Sequence, residues 1–352
     1  MLDFSELEAR IRPLDEGAMR ASRDRWNAVA KPVGSLGRLE ELVTQIAGIT
    51  GSPDVDVSRR CVAVVCSDNG VVAEGVTQGG SEITLAIADA LAQGRSSVCA
   101  MCRPVGIDVV PVDVGMARPS ADPRVLDRNV ARGTGDILHE PAMSREQALE
   151  AVQVGVDLVG ELAREGYGLV ATGEMGIGNT TTSSAMASVY LGASAEAVTG
   201  KGAGLSEADF RHKVEVVREA VAARRPDADD PVDVLAKLGG FDIAALAGMF
   251  LGGALWRVPV VMDGFISEVG ALTAVRLCPS CRCAILPSHL SVEPAARALM
   301  DELGLDPVLH AGMHLGEGTG AVCLVPLLDM ALSLYNGTTF EGAGVVAYDP
   351  DL

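Results

Sequence analysis

The spacing of apolar and polar positions changes several times along the chain, and each change marks an element. Residues 1–50 read as helix, Gly-rich turn and helix. In the second helix, 38–49, apolar residues recur every three or four positions until Gly51, Ser52 and Pro53 stop the run. Short β-rich apolar runs follow at 61–66, 107–114, 168–172 and 258–262, with weaker ones near 283–286 and 307–310. Amphipathic stretches separate them, clearest at 144–165 and 207–223, and Ser206 followed by Asp209 fits a capping box. Such alternation predicts an α/β fold with a Rossmann-like, mostly parallel sheet flanked by helices. The stretch 320–335 returns to helix and is expected to pack on the N-terminal helices. Residues 1–55 and 321–352 would then form a small helical domain, and 56–320 the large α/β catalytic domain.

Composition narrows the function classes. A 352-residue chain with 48% hydrophobic residues can bury a substantial core, and 40 glycines with 3% aromatics suit closely packed strands and helices. The net charge of −19 repels long polyanions, so no nucleic-acid partner is expected. An anionic substrate must therefore be held by local donors such as helix N-termini. The longest apolar run, 243–256, lies between Asp242 and Arg257 and holds three glycines. It is shorter than the roughly 20 residues that span a bilayer. The first residues mix charges without an apolar core, so no membrane association and a cytoplasmic location are expected. Of eight cysteines, Cys99/Cys102 and Cys278/Cys281 form two Cys-x-x-Cys pairs that admit a four-thiolate zinc site. For Cys99 and Cys102, sharing one buried helix face is the stronger reading. His139 and His212 read as surface histidines, and His310 and His314 lack an acidic ligand pattern.

In a doubly wound sheet, ligands bind at the carboxyl ends of the strands. The loops there are rich in Gly and carboxylates: Ser67-Asp68-Asn69-Gly70-Val71, Gly173-Glu174-Met175-Gly176-Ile177-Gly178-Asn179-Thr180-Thr181 and Asp263-Gly264-Phe265-Ile266-Ser267. In the second, three glycines let backbone N–H groups approach a ligand, and three capping residues open a helix with free amides. That is an anion cradle suited to phosphate. It is neither a Walker A loop nor a dinucleotide fingerprint, and alone it names no substrate. Glu317, between Gly316 and Gly318, has few local packing partners. Solvation and general-base work both remain open for it.

The chain resembles the nicotinate-nucleotide:dimethylbenzimidazole phosphoribosyltransferases of cobamide (vitamin B12) nucleotide-loop assembly. The residues carrying the likeness are Lys31-Pro32-Val33-Gly34-Ser35-Leu36-Gly37-Arg38-Leu39-Glu40, Ala73-Glu74-Gly75-Val76, the Gly173–Thr181 loop, Gly239-Gly240-Phe241-Asp242-Ile243-Ala244, Asp263-Gly264-Phe265 and Leu315-Gly316-Glu317-Gly318-Thr319-Gly320. They run in order over nearly the whole chain. The resemblance implies a homodimer, no metal or cofactor, and Glu317 as the base that activates the imidazole nitrogen. Its substrates would be nicotinate mononucleotide and an aromatic base. Glu174 is expected to stabilise positive charge on the sugar. Substrate binding is expected from Gly176, Ile177, Gly178, Asn179, Thr180, Gly202, Lys213, Asp263, Gly264, Ser291, Leu315, Asp68 and Gln78.

Several positions depart from the family pattern. Asn69 stands where relatives usually carry His, Lys201 and Leu290 stand where Arg is expected, and Thr77-Gln78-Gly79-Gly80 lacks bulkier residues. These changes point to an altered base. The alternatives are a non-catalytic paralogue or partner subunit that binds the nucleotide, and a nucleotide hydrolase or phosphorylase on the same fold.

Overall fold

The computed structural model describes residues 2–202 and 204–347. Six strands carry the fold: β1 (Arg60–Ser67), β2 (Asp108–Gly115), β3 (Leu126–Asp127), β4 (Leu169–Met175), β5 (Val260–Met262) and β6 (Ile285–Pro287). They form one sheet in the order β3-β2-β1-β4-β5-β6, with every strand pairing parallel. The order turns back on itself between β1 and β4, which is the topological switch point of a doubly wound sheet. β1 and β4 are buried nearly end to end. Helices cover both faces, so their sequences are continuously apolar instead of alternating.

The sequence patterns at 61–66, 107–114, 168–172, 258–262 and 283–286 fall on β1, β2, β4, β5 and β6. The pattern at 307–310 does not make a strand. It leaves one parallel bridge between Leu309 and His289, and its first residue, Pro307, has no N–H for a ladder. β3 is two residues long, too short to show any period.

The helix Arg145–Arg164 starts with a full capping box, Ser144 with Gln147. At Ser206 the box is half formed: its Oγ accepts from Asp209 N–H, but the Asp209 carboxylate meets the Ser206 hydroxyl, not its N–H. The apolar run seen in the sequence is the helix Phe241–Trp256, buried on nearly every side. Its glycines serve close packing. A Cβ on Gly248 would lie 1.9 Å from Val152 O, and one on Gly155 would lie 2.0 Å from Ala245 O. The two helices thus touch backbone to backbone. No helix of the described residues is long and apolar enough to cross a membrane.

Both chain ends meet in a small second core of Trp26, Val29, Val43, Ala331 and Tyr335. It joins the helices Glu16–Ala28 and Arg38–Thr50 to the helix Thr319–Tyr335. Residues 1 and 348–352 of the expected helical domain lie outside the described residues. The Lys31–Glu40 motif locks the turn beside this core. Lys31 Nζ pairs with Glu40 at 2.7 Å, both side chains are nearly covered, and Glu40 also accepts from Leu36 N–H. Trp26 lies 5.2 Å from the ammonium.

Candidate active site

A cavity of about 290 Å³ opens at the carboxyl ends of β4, β5 and β6. Its walls are the turns following β4 and β5, residues 289–293 after β6, and the loop ahead of the helix Thr319–Tyr335. A second cavity of about 330 Å³ adjoins it. The two share Gly176, Ile177, Asn179, Thr180 and Gly202.

Asn179, the first residue of the helix Asn179–Leu191, organises the floor. Its side-chain amide donates one hydrogen bond to Glu174 Oε2 at 2.5 Å and another to Asp242 Oδ2 at 3.0 Å. Burial pushes the Glu174 carboxyl up to about 8, against the pull of the Asn179 bond and with help from Asp242, Asp263 and Glu317 nearby. Asp242 is raised less, to about 6, again by burial first. Glu174 is therefore largely protonated at neutral pH in the unliganded protein. The carboxyl is too buried to hold its charge readily without a cation beside it.

Asp263 sits at the end of β5 and caps the last helix. Its two carboxylate oxygens accept from Gly318 N–H at 3.2 Å and Ala321 N–H at 3.0 Å. Glu317 stands immediately before that helix, with φ of 60° between Gly316 at 85° and Gly318 at 88°. Its Oε2 accepts from Val98 N–H at 3.1 Å, in the first turn of the helix Ser97–Cys102. The carboxylate thus spans the gap to that helix, while Glu174 Oε1 lies directly beneath Gly316.

At the other end, the turn after β4 meets the helix N-terminus. The Thr180 N–H makes no hydrogen bond among the described residues, and its Oγ1 accepts from Lys213 Nζ at 2.8 Å. Lys213 is almost fully buried, and that burial lowers its ammonium to about 8 despite Glu293 nearby. A helix N-terminus, a hydroxyl and a lysine therefore converge on one spot.

A family model described as phosphoribosyltransferase (DBI_PRT) matches residues 11–345. The chain belongs to that family. It is similar to a nicotinate-nucleotide--dimethylbenzimidazole phosphoribosyltransferase of Ruminiclostridium cellulolyticum, 43% identical over 99% of both chains. A relative of the same description from Acetivibrio thermocellus is 44% identical, covering 93% of this chain and 94% of that one. Among solved structures, one described as CobT from Thermus thermophilus aligns with a TM-score of 0.88 at 36% identity, over 94% of this chain and all of the other.

Most residues expected at the site gather there. Glu174, Gly176, Ile177, Asn179, Thr180, Gly202, Asp263, Gly264, Ser291, Leu315 and Glu317 line the first cavity. Gly178, Lys213 and Gln78 line the second. Asp68 is the exception. It lines neither cavity and is buried, with Oδ2 accepting from Ala117 N–H at 2.7 Å. Of the departures, Asn69 is buried and donates to Ile177 O at 3.4 Å, while Lys201 lines the second cavity and pairs with Glu207 at the surface. Sequence reasoning missed Asp242, His289 and Glu293. Asp242 carried a signal, a carboxylate at the start of a wholly apolar helix. His289 and Glu293 become neighbours of the cavity only through the turn after β6.

The thiol pairs do not meet. Cys99 and Cys102 share the buried face of their short helix, while Cys278 Sγ contacts Phe4 O at 3.4 Å. Among the described residues, Glu74, Asp136 and His139 form the one group of three that brings metal-capable atoms within 4.8 Å. His139 is exposed there and approaches Glu74 at 3.1 Å.

Proposed function

We propose that the chain transfers the 5-phosphoribosyl group of nicotinate mononucleotide to 5,6-dimethylbenzimidazole or a related aromatic base. The products are nicotinate and an α-ribazole 5′-phosphate-type nucleotide, a step of cobalamin biosynthesis. The observation that carries this reading is Glu317 beside the cavity, with one oxygen held by Val98 N–H, in a chain that matches the family along its length. The oxygen left over removes the imidazole N–H proton as the other ring nitrogen attacks C1′. Nicotinate leaves from the opposite face, so the configuration inverts from β to α. The departing ring nitrogen takes the bonding pair and becomes neutral, so no pyrophosphate charge has to be neutralised.

The cavity's polarity supports the same assignment. Thr180 N–H and Lys213, where the two cavities adjoin, suit the 5′-phosphate, while Glu174, Asp263 and Glu317 line the first cavity. Entry of a pyridinium favours the ionised form of Glu174, and the resulting carboxylate stabilises positive charge developing on the sugar. A homodimer, a cytoplasmic location and a helical domain made of 1–55 and 321–352 belong to the same proposal. The resemblance implies the first, and the shared core of Trp26 and Tyr335 supports the third. Light scattering tests the dimer.

The deciding experiment mixes the protein with nicotinate mononucleotide and a panel of benzimidazoles, purines and phenols, and follows products by chromatography with mass detection. A base-dependent α-ribotide establishes the transferase and names its base. Nicotinate released without any base means hydrolysis, and no turnover across the panel means a non-catalytic paralogue.

A further inference from the structure

His289 lies almost fully buried on the wall of the first cavity. The last helix closes over it, such that a Cβ on Gly320 would fall 1.9 Å from its Nδ1. Its two ring nitrogens are distinguished by Ser288. The Ser288 hydroxyl has one proton and donates it to the Met262 carbonyl at 2.6 Å. Toward His289 Nδ1, 3.1 Å away, the same oxygen can then only accept. Nδ1 therefore carries the proton and Nε2 carries a lone pair.

Asp263 does not reverse this. Its oxygen is 3.9 Å from Nδ1, beyond hydrogen-bond reach, and both its oxygens are engaged by Gly318 and Ala321 N–H. Burial also lowers the imidazole's affinity for a second proton, outweighing Asp263. Among the described residues, Nε2 has no hydrogen-bond partner. It lies against Gly264, where a Cβ would be 3.2 Å away. An unprotonated acceptor thus faces a cavity already rich in carboxylates.

An acceptor can only be met by a donor. In nicotinate mononucleotide the carboxylate, the substituted pyridinium nitrogen and the ionised phosphate offer no proton, so only the ribose hydroxyls remain. The N–H of the incoming base is committed to Glu317. We propose that His289 Nε2 accepts a hydrogen bond from a ribose hydroxyl of the nucleotide donor and sets the rotation of the sugar between the phosphate cradle and Glu317. This inference rests on the nucleotide reading above.

Two measurements test it. In unliganded protein labelled with ¹⁵N-histidine, His289 (assigned by its loss in His289→Asn) should show a protonated Nδ1 and a pyridine-type Nε2 at pH 8. An imidazolium or the opposite tautomer overturns the proposal. His289→Asn keeps an amide donor for Ser288 Oγ and removes Nε2, so it should fold. It should bind nicotinate mononucleotide about tenfold more weakly by calorimetry. One of the two donor analogues, 2′-deoxy or 3′-deoxy, should lose the same factor against the wild type and nothing further against the variant. Losses that simply add for both analogues overturn the contact. Binding that follows this cycle without any turnover supports the contact and rejects the transferase reading.

Discussion

Glu317 Oε2 and the backbone N–H of Val98 lie 3.1 Å apart, so the residue assigned as the base also caps the helix Ser97–Cys102. Glu317→Gln keeps an acceptor for Val98 and removes the basic oxygen. Transfer should fall roughly 10²- to 10⁴-fold with an unchanged melting temperature. Glu317→Ala should lose the same activity and, with the cap gone, about 1 kcal/mol of stability. Calorimetric melting of the two variants side by side checks this. Equal melting temperatures would separate the hydrogen bond from stability.

Gly176 is required by what lies beneath it. A Cβ there would stand 2.5 Å from Asp242 Oδ2 and 2.8 Å from Ser67 O. Gly176→Ala should destabilise the fold by about 2 kcal/mol even without ligand. A wild-type melting curve together with weakened nucleotide binding would instead assign the glycine to the phosphate.

Glu174 makes stability depend on pH. Its folded pKa, about 8, exceeds the ordinary 4.5, so the folded state holds a proton that the unfolded state has released. Its contribution is complete below about 4.5 and is lost as pH rises toward 8. Glu174→Gln should flatten the fall in melting temperature across that window, measured by calorimetry between pH 5 and 8.5. A variant with the wild-type slope would place the titrating group elsewhere.

Lys213 titrates in the opposite sense. Burial depresses its ammonium to about 8, and an arriving phosphate dianion should restore it. Nucleotide binding near pH 8.5 should then be accompanied by proton uptake, read from calorimetric enthalpies in buffers of different ionisation heat. Lys213→Met should abolish the uptake and weaken binding about tenfold or more. Uptake that survives the substitution would remove Lys213 from the phosphate cradle.

The parts legible in the sequence were those with a local period or a local turn. Strands such as β1 declared themselves because both faces are buried, and the Gly173–Thr181 loop because three glycines precede three capping residues. Glu317 stood out by its glycine neighbours, yet its partner Val98 is distant in sequence and no spacing reveals it. The same holds for Asn179, whose value lies in meeting Asp242 from another helix. Asp68 illustrates the converse. It follows a strand, as a ligand-binding residue does, but it lines neither cavity, and its Oδ2 accepts from Ala117 N–H. His289 was invisible because its chemistry depends on which neighbour holds the Ser288 proton.

Residues 316–318 form a left-handed run in which only the middle position bears a side chain. Holding an L-residue there costs on the order of 1–2 kcal/mol relative to glycine. Glu317→Gly should therefore recover much of what Glu317→Ala loses, although both are inactive. Heat tolerance and turnover pull against each other at this one position. A copy of the chain released from catalysis would be free to drift to glycine at 317, and a screen for thermostability alone would favour that change.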